Sequence, residues 1–184
     1  MLKLAEAFSR DGVSFSSTYQ NLVPQPWVID DLDTFKINWS KKSWKKARLV
    51  SLSILLHWQV IIFVDNSGAY IILGILPFAR ELLRHGSQVI LAANDLPSIN
   101  DVTYSELIEI VSKVIDLTGV SQELAYHANA SDFVILEGMG RGIETNLYAQ
   151  FKCDSLKIAM VKHVEVAEFL GSRLYDCVIK YDEV

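Results

Sequence analysis

The chain has 184 residues, 51% of them apolar, with 22 acidic against 17 basic side chains and a net charge of −5. That length suits one domain over 1–184 rather than two, and so apolar a composition excludes a disordered chain. No basic tract extends beyond Lys41 to Arg48, KKSWKKAR, which reads as a solvated surface segment, so neither nucleic acid nor an anionic membrane is expected as a partner.

The N-terminus, MLKLAEAFSRDG, has charged residues where a signal peptide needs an unbroken apolar run, and reads as a short amphipathic helix ending near Gly12. Gln20 to Trp39, with Pro24, Pro26 and the acidic run Asp30 to Asp33, reads as a loop leading into a short helix that adds little to the core. Residues 1–47 thus form a helical and loop lead-in to an α/β core over 59–184. Leu49 to Val64 is too short for a membrane span and contains His57 and Gln59. It is also long for a strand, so part of it, Arg48 to Val60, is expected to be an insertion.

Ile61 to Gly68, IIFVDNSG, is a buried strand that delivers Asp65 and Asn66 into a glycine turn. Side chains of a strand alternate in direction, so Asp65 and Asn66 can face one ion only if the backbone is already turning, which Gly68 permits. The bland alternative is a plain turn. Ile71, Ile72, Ile75, Leu76, Ala79, Leu82 and Leu83 then recur at helical spacing up to Gly86, with Pro77 either kinking the helix or opening a fresh first turn. Gln88 to Ala93 is a second buried strand, parallel to the first because a helix joins them. It ends in Asn94 and Asp95.

Thr103 and Glu106 form a capping-box pattern ahead of Leu107, Ile110, Val111 and Val114, so Asp101 sits just before a helix N-terminus. Past Ile115 the chain breaks at Thr118-Gly119 and resumes helical patterning through Leu124 and Ala125 without an intervening strand, which is abnormal for this architecture. Further strands are expected at Asp132 to Leu136, Leu156 to Val161 and Tyr175 to Lys180. The first of these runs into EGMGRGIETN and the second into Lys162 and His163. Cys153 and Cys177 lack metal-site spacing and suit ordinary thiols in a reducing, cytoplasmic setting with no disulfide partner.

In a parallel sheet the strand carboxyl ends share one edge, so Asp65, Asn66, Asn94, Asp95, Asp101, Glu137, Arg141, Lys162 and His163 should face a common crevice. Oxygen ligands for a hard divalent cation beside Arg and Lys for an anion suit phosphoryl chemistry. Glu137 and Arg141 could instead be a surface ion pair, but the interleaved glycines at 138, 140 and 142 suit a backbone that must approach a ligand closely. A dinucleotide fingerprint fails, because Ile143 stands where its third glycine belongs. His163 is expected to be an edge histidine, and Asp154 and Glu144 surface charges.

FVDNSG, AANDLPSINDVT and above all EGMGRGIETNLYAQFKCDSLKIAMVKH resemble the metal-dependent damage-control phosphatases, in the subfamily marked by an EGMGR motif and related to the phosphatase domain fused to pantothenate kinase. The resemblance runs from about Leu4 to Val184 and is weakest over Arg48 to Val60. It implies a three-layer, Rossmann-like α/β domain with a mainly parallel sheet and a shortened N-terminal helical portion. It also implies Asp65, Asn66 and Asp101 as ligands of Mn²⁺, Mg²⁺, Co²⁺ or Ni²⁺, with Asp65 and Asp101 catalytic. Asn94, Asp95, Glu137, Gly138, Met139, Gly140, Arg141 and Lys162 would bind substrate, a small phosphorylated metabolite such as 4′-phosphopantetheine or its oxidised derivatives. Either Asp65 attacks directly or a water does so, with Asp101 or Asp95 accepting its proton.

Three departures from the resemblance bear on activity. The N-terminus is short, Tyr70 stands where the wider family usually has an acid, and the join near Ile115 to Leu117 lacks a strand and loop. They suggest a truncated or variant member, with two competing readings: an impaired metal-binding or regulatory fragment and, less favoured, a nucleotide-binding module.

Overall fold

A computed structural model of the protein describes residues 20–42, 45–46, 56–98, 101–114 and 130–184. The helix expected before Gly12, the join at Ile115 to Leu117 and the helical patterning through Ala125 lie outside the described residues. The elements in chain order are β1 (Ile29–Asp30), α1 (Leu32–Lys41), β2 (Lys45–Lys46), β3 (Leu56–His57), β4 (Gln59–Phe63), a π-helical turn (Tyr70–Ile75) and α2 (Leu76–Arg84). They continue with β5 (Gln88–Ala92), α3 (Tyr104–Val114), β6 (Phe133–Glu137), a second π-helical turn (Gly140–Thr145), β7 (Asp154–Met160), α4 (Val164–Leu170) and β8 (Cys177–Asp182).

Six strands form one sheet in the order β1-β8-β7-β6-β4-β5. The four strands β5, β4, β6 and β7 run parallel. Central strands of such a sheet are covered on both faces, which is why Val60, Ile61 and Ile62 are wholly buried and every residue of β6 is buried. On one face Val60, Ile62 and Ile135 pack with Ile72, Leu76 and Leu82 and with Leu107 and Ile110 of α3. On the other, Ala159, Val161 and Val178 pack with Ile143 after the EGMGR segment and with Ala167 of α4. The result is the three-layer α/β arrangement.

The last long strand sits two residues beyond its expected place and supplies the antiparallel part of the mainly parallel sheet. It lies at Cys177–Asp182 and is antiparallel to β7, with Ile158 opposite Ile179. Length explains the reversal: a seven-residue helix advances only about 10 Å, whereas β7 is about 23 Å long, so α4 cannot carry the chain back to the start of its neighbour. Instead Gly171, at φ +64°, ends α4, and Tyr175 and Val161 exchange backbone bonds with their opposite numbers, Tyr175 N–H to Val161 O and Val161 N–H to Asp176 O.

One other expectation is corrected. The segment Gln20 to Trp39 does feed the core: Phe35 stacks on Phe133 at 6.1 Å and Trp39 meets Phe133 at 6.0 Å, while Ile29–Asp30 adds an outer strand beside β8. The long lead-in to Asp65 is divided, because Leu56–His57 pairs antiparallel with Lys45–Lys46 in a separate ribbon and β4 begins only at Gln59. Pro77 opens a fresh turn, sitting at the start of α2 where the π-helical spacing gives way to α-helical. No described helix is long and apolar enough to cross a membrane.

Candidate functional site

The connections after β4 and β6 depart to opposite faces of the sheet, and a crevice opens between the carboxyl ends of these two neighbouring strands. Asp65 and Asn66 follow β4, and Glu137 ends β6. Both segments then pass through a glycine-containing turn into π-helical backbone.

Glu137 ties the two loops together. Its buried carboxylate accepts the backbone N–H groups of Asp65 at 3.0 Å and Asn66 at 3.2 Å, and the Asn66 amide at 3.1 Å. Burial pushes its carboxyl up to about 7 against the pull of those hydrogen bonds. The next residue, Gly138, adopts φ +101° and leaves the space that the Asp65 carboxylate occupies. The close backbone approach expected of the glycines is made here to a protein side chain.

A second chain of bonds runs along the crevice. Arg141 donates from Nε to Asp65 Oδ1 at 2.9 Å and from its terminal nitrogen to Asn94 Oδ1 at 2.7 Å. Asn94 in turn donates to Asp101 Oδ2 at 2.8 Å. Burial and then the neighbouring Asp65 charge raise the Asp101 carboxyl, partly offset by Arg141 and Asn94. Asp101 is fixed on its own side by Val102 N–H bonding to Asp65 O at 2.7 Å, and by the capping box, in which Thr103 N–H donates to Glu106 and Glu106 N–H to Thr103 Oγ1. On the opposite wall Lys162 donates to Asn66 Oδ1 at 3.1 Å, and its ammonium lies 4.2 Å from the Tyr70 ring centre.

Seven of the expected residues therefore form one connected network: Asp65, Asn66, Asn94, Asp101, Glu137, Arg141 and Lys162. Met139 joins through its sulfur, which accepts the Lys162 backbone N–H, and Gly140 lies over Asp65. Asp95 and His163 do not join; both are exposed. Among the described residues no three of His, Cys, Asp and Glu gather in a form that could hold a metal. The oxygen set is two carboxylates, Asp65 and Asp101, with the amides of Asn66 and Asn94. Two like charges brought together without sulfur or imidazole fit a hard divalent cation.

Residues 5–118 match the Damage-control phosphatase ARMT1-like domain. The chain belongs to the damage-control phosphatase family. It is 61% identical to Damage-control phosphatase At2g17340 of Arabidopsis thaliana over 208 aligned residues, covering 99% of this chain and 53% of that protein. It is 37% identical to Pantothenate kinase 2 of the same plant, over 89% of this chain and 23% of the kinase, and 28% identical to 4′-phosphopantetheine phosphatase of Mus musculus, over 91% and 28%. The chain thus spans about half the length of the first relative and about a quarter of the others. Because 208 aligned positions exceed 184 residues, the Arabidopsis phosphatase carries internal residues with no counterpart here. A DUF89 family protein from Pyrococcus horikoshii shares the fold at a TM-score of 0.53 and 22% identity, over 68% of this chain and 47% of that one.

Within this damage-control phosphatase domain, sequence reasoning missed the groups that hold the far edge of the sheet. Asp154, read as a surface charge, is 6% exposed; it accepts the Tyr181 hydroxyl at 2.6 Å, the Val184 N–H at 3.2 Å and Lys42, which comes from the supposed solvated basic segment. Lys157 is 0% exposed and donates to Asp182 at 2.6 Å and to Ala149 O at 2.9 Å. Only the apolar setting of Asp154 and Lys157 in β7 could have flagged them. Glu144 is exposed as expected.

Proposed function

We propose that the chain is a metal-dependent phosphomonoesterase acting on small phosphorylated metabolites, with 4′-phosphopantetheine and its oxidised derivatives inside that class. The observation that carries this reading is the Asp65–Arg141–Asn94–Asp101 chain of hydrogen bonds at the switch between β4 and β6, faced by Lys162. Asp65, Asn66 and Asp101 would hold Mn²⁺, Mg²⁺, Co²⁺ or Ni²⁺, and the cation would supply Lewis-acid polarisation of a phosphoryl oxygen.

The chain's own residues supply position and charge. Lys162 and Arg141 face the phosphoryl oxygens and balance the charge that spreads over them in the transition state. A water oxygen bonds to phosphorus as the ester P–O bond breaks, the ester's electron pair leaves on the alkoxide oxygen, and that oxygen takes a proton from solvent to depart as the alcohol. The proton that the water loses passes to Asp101, which lies in the crevice, whereas Asp95 faces solvent. Glu137 touches no substrate in this reading; it fixes the turn that aims Asp65 and Asn66.

A second reading, an impaired family member, draws support from Tyr70. Its ring covers the Lys162 ammonium where relatives are expected to carry an acid. The experiment is phosphate release from an aryl phosphate with Mn²⁺, for wild type, Asp65→Ala and Tyr70→Asp. Metal-dependent turnover in wild type and none in Asp65→Ala supports the enzyme. Silence in wild type with recovery in Tyr70→Asp supports the impaired reading and keeps the site, and unchanged activity in Asp65→Ala sinks the site.

A further inference from the structure

The site opens past Asn66, Glu137 and Lys162 onto a cleft with an almost entirely apolar lining. A second groove, of about 540 Å³, shares no lining residue with that cleft or with the polar network. One wall is the chain from Ile143 to Ala149, which leaves the second π-helical turn; the other is the face of α4 that carries Glu165, Val166 and Phe169. Ile143 and Leu147 are buried and pack in the cluster that holds Ala167 of α4, so both walls stand on one core. The rim is uncovered: Tyr148 is 74% and Phe169 71% exposed, the two most exposed aromatic side chains among the described residues. The only charged groups that line the groove are carboxylates, Glu144 from one wall and Glu165 from the other. Both are exposed, and among the described residues neither takes part in an ion pair.

We infer that this groove docks a basic segment of a partner protein, which places an aliphatic or aromatic side chain against Tyr148 and Phe169 and a Lys or Arg beside Glu144 and Glu165. Charge complementarity selects the partner. Two carboxylates with no cation among the lining residues repel phosphate groups, so nucleic acid and an anionic membrane are opposed at the rim whatever they gain from the aromatics. A small amphiphilic cation would remain half in water, because the aromatic walls are themselves mostly exposed, whereas small-molecule sites bury most of their ligand. A protein segment carries its backbone across the open side and brings a cation to each wall. Apolar anchors at the centre with polar groups at the rim are the usual anatomy of a protein interface. No groove residue belongs to the polar network, so this docking is independent of the phosphomonoesterase reading.

The probes are synthetic peptides of equal length, labelled at one end: a central Phe-Leu pair flanked on both sides by Lys, the same pair flanked by Glu, and a Ser-Ser pair flanked by Lys. Fluorescence anisotropy reads their binding to the full chain at low and high salt. The Lys-flanked Phe-Leu peptide should bind, and more weakly in high salt, while the other two should be weaker by about tenfold or more. Phe169→Ser should weaken the first peptide by about 30-fold, the scale of losing an interface anchor. Glu144→Gln with Glu165→Gln should weaken it by about fivefold, the scale of losing two exposed ion pairs, and flatten the salt dependence. All three positions are exposed, and circular dichroism and melting check that each variant folds. No binding of the first peptide, equal binding of the Lys-flanked and Glu-flanked peptides, or full affinity in Phe169→Ser overturns the inference. Anionic phospholipid vesicles that bind the chain more tightly than the peptide, and lose that binding in Phe169→Ser, assign the groove to a membrane and overturn it as well.

Discussion

Gly138 and Asp65 are fitted to each other: a Cβ built on Gly138 would lie 2.6 Å from Asp65 Cγ, well inside contact distance, and the glycine holds φ +101°. The backbone at the end of β6 can pass the metal-ligand candidate after β4 only because residue 138 has no side chain. The Glu137 carboxylate, one residue earlier, binds the Asp65 and Asn66 N–H groups, so the two loops are locked by attraction at one residue and by shape at the next.

Gly138→Ala should therefore damage fold and site together. The left-handed backbone and the overlap with Asp65 together should cost about 2–4 kcal/mol. Urea unfolding reads the loss, and phosphate release should fall with it. A variant as stable and as active as wild type would mean that this contact does not exist in solution.

Arg141→Lys should fail as a conservative change. The guanidinium reaches Asp65 with Nε and Asn94 with a terminal nitrogen, two acceptors that a single ammonium cannot span in the same geometry. Phosphate release should drop by about 10²–10³-fold, the usual scale for removing one preorganised charged donor. Circular dichroism should stay unchanged, because Arg141 is not part of the core.

Asp154→Ala should be among the most destabilising changes outside the site. It strips the buried Tyr181 hydroxyl and half-buried Lys42 of their shared acceptor, and leaving these donors unsatisfied should cost about 2–3 kcal/mol. Tyr181→Phe, which removes one donor and leaves no charge unpaired, should cost only about 1 kcal/mol. Chemical denaturation of the two variants side by side checks the ranking.

Acid should weaken the fold partly through Asp182. Burial alone would raise its carboxyl, but hydrogen bonds from Lys157 and Lys180, and their charges, hold it below the ordinary carboxylate value. A depressed native value stabilises the fold above the unfolded value of about 3.9 and the contribution is lost as pH falls through the native one. Between about pH 5 and pH 2, Asp182→Asn should lose less stability than wild type. Equal slopes in urea titrations across that window would remove Asp182 from the acid limb.

What could be read along the chain was what depends on neighbours in sequence. The strands at β4 to β7 showed as apolar runs, and the capping box of Thr103 and Glu106 formed as spaced. Asn94 and Asp95 look equally suited to the crevice as text. In the structure Asn94 turns in to join Arg141 and Asp101, while Asp95 is exposed. The difference is set by the backbone bonds that Asn94 shares with Thr103 and Tyr104, partners about ten residues away.

The sequence by itself determined the α/β class, the mainly parallel sheet, the damage-control phosphatase family and the identity of the residues at the strand ends, because local periodicity and motif chemistry are written in consecutive residues. Tertiary structure alone decided that β8 runs antiparallel, that Asp154 and Lys157 are buried and paired, that Gly138 makes room for Asp65, and that the site opens onto an apolar cleft. Each of those depends on which distant segment arrives beside a residue, and burial, charge pairing and steric fit take their values only once that neighbour is in place.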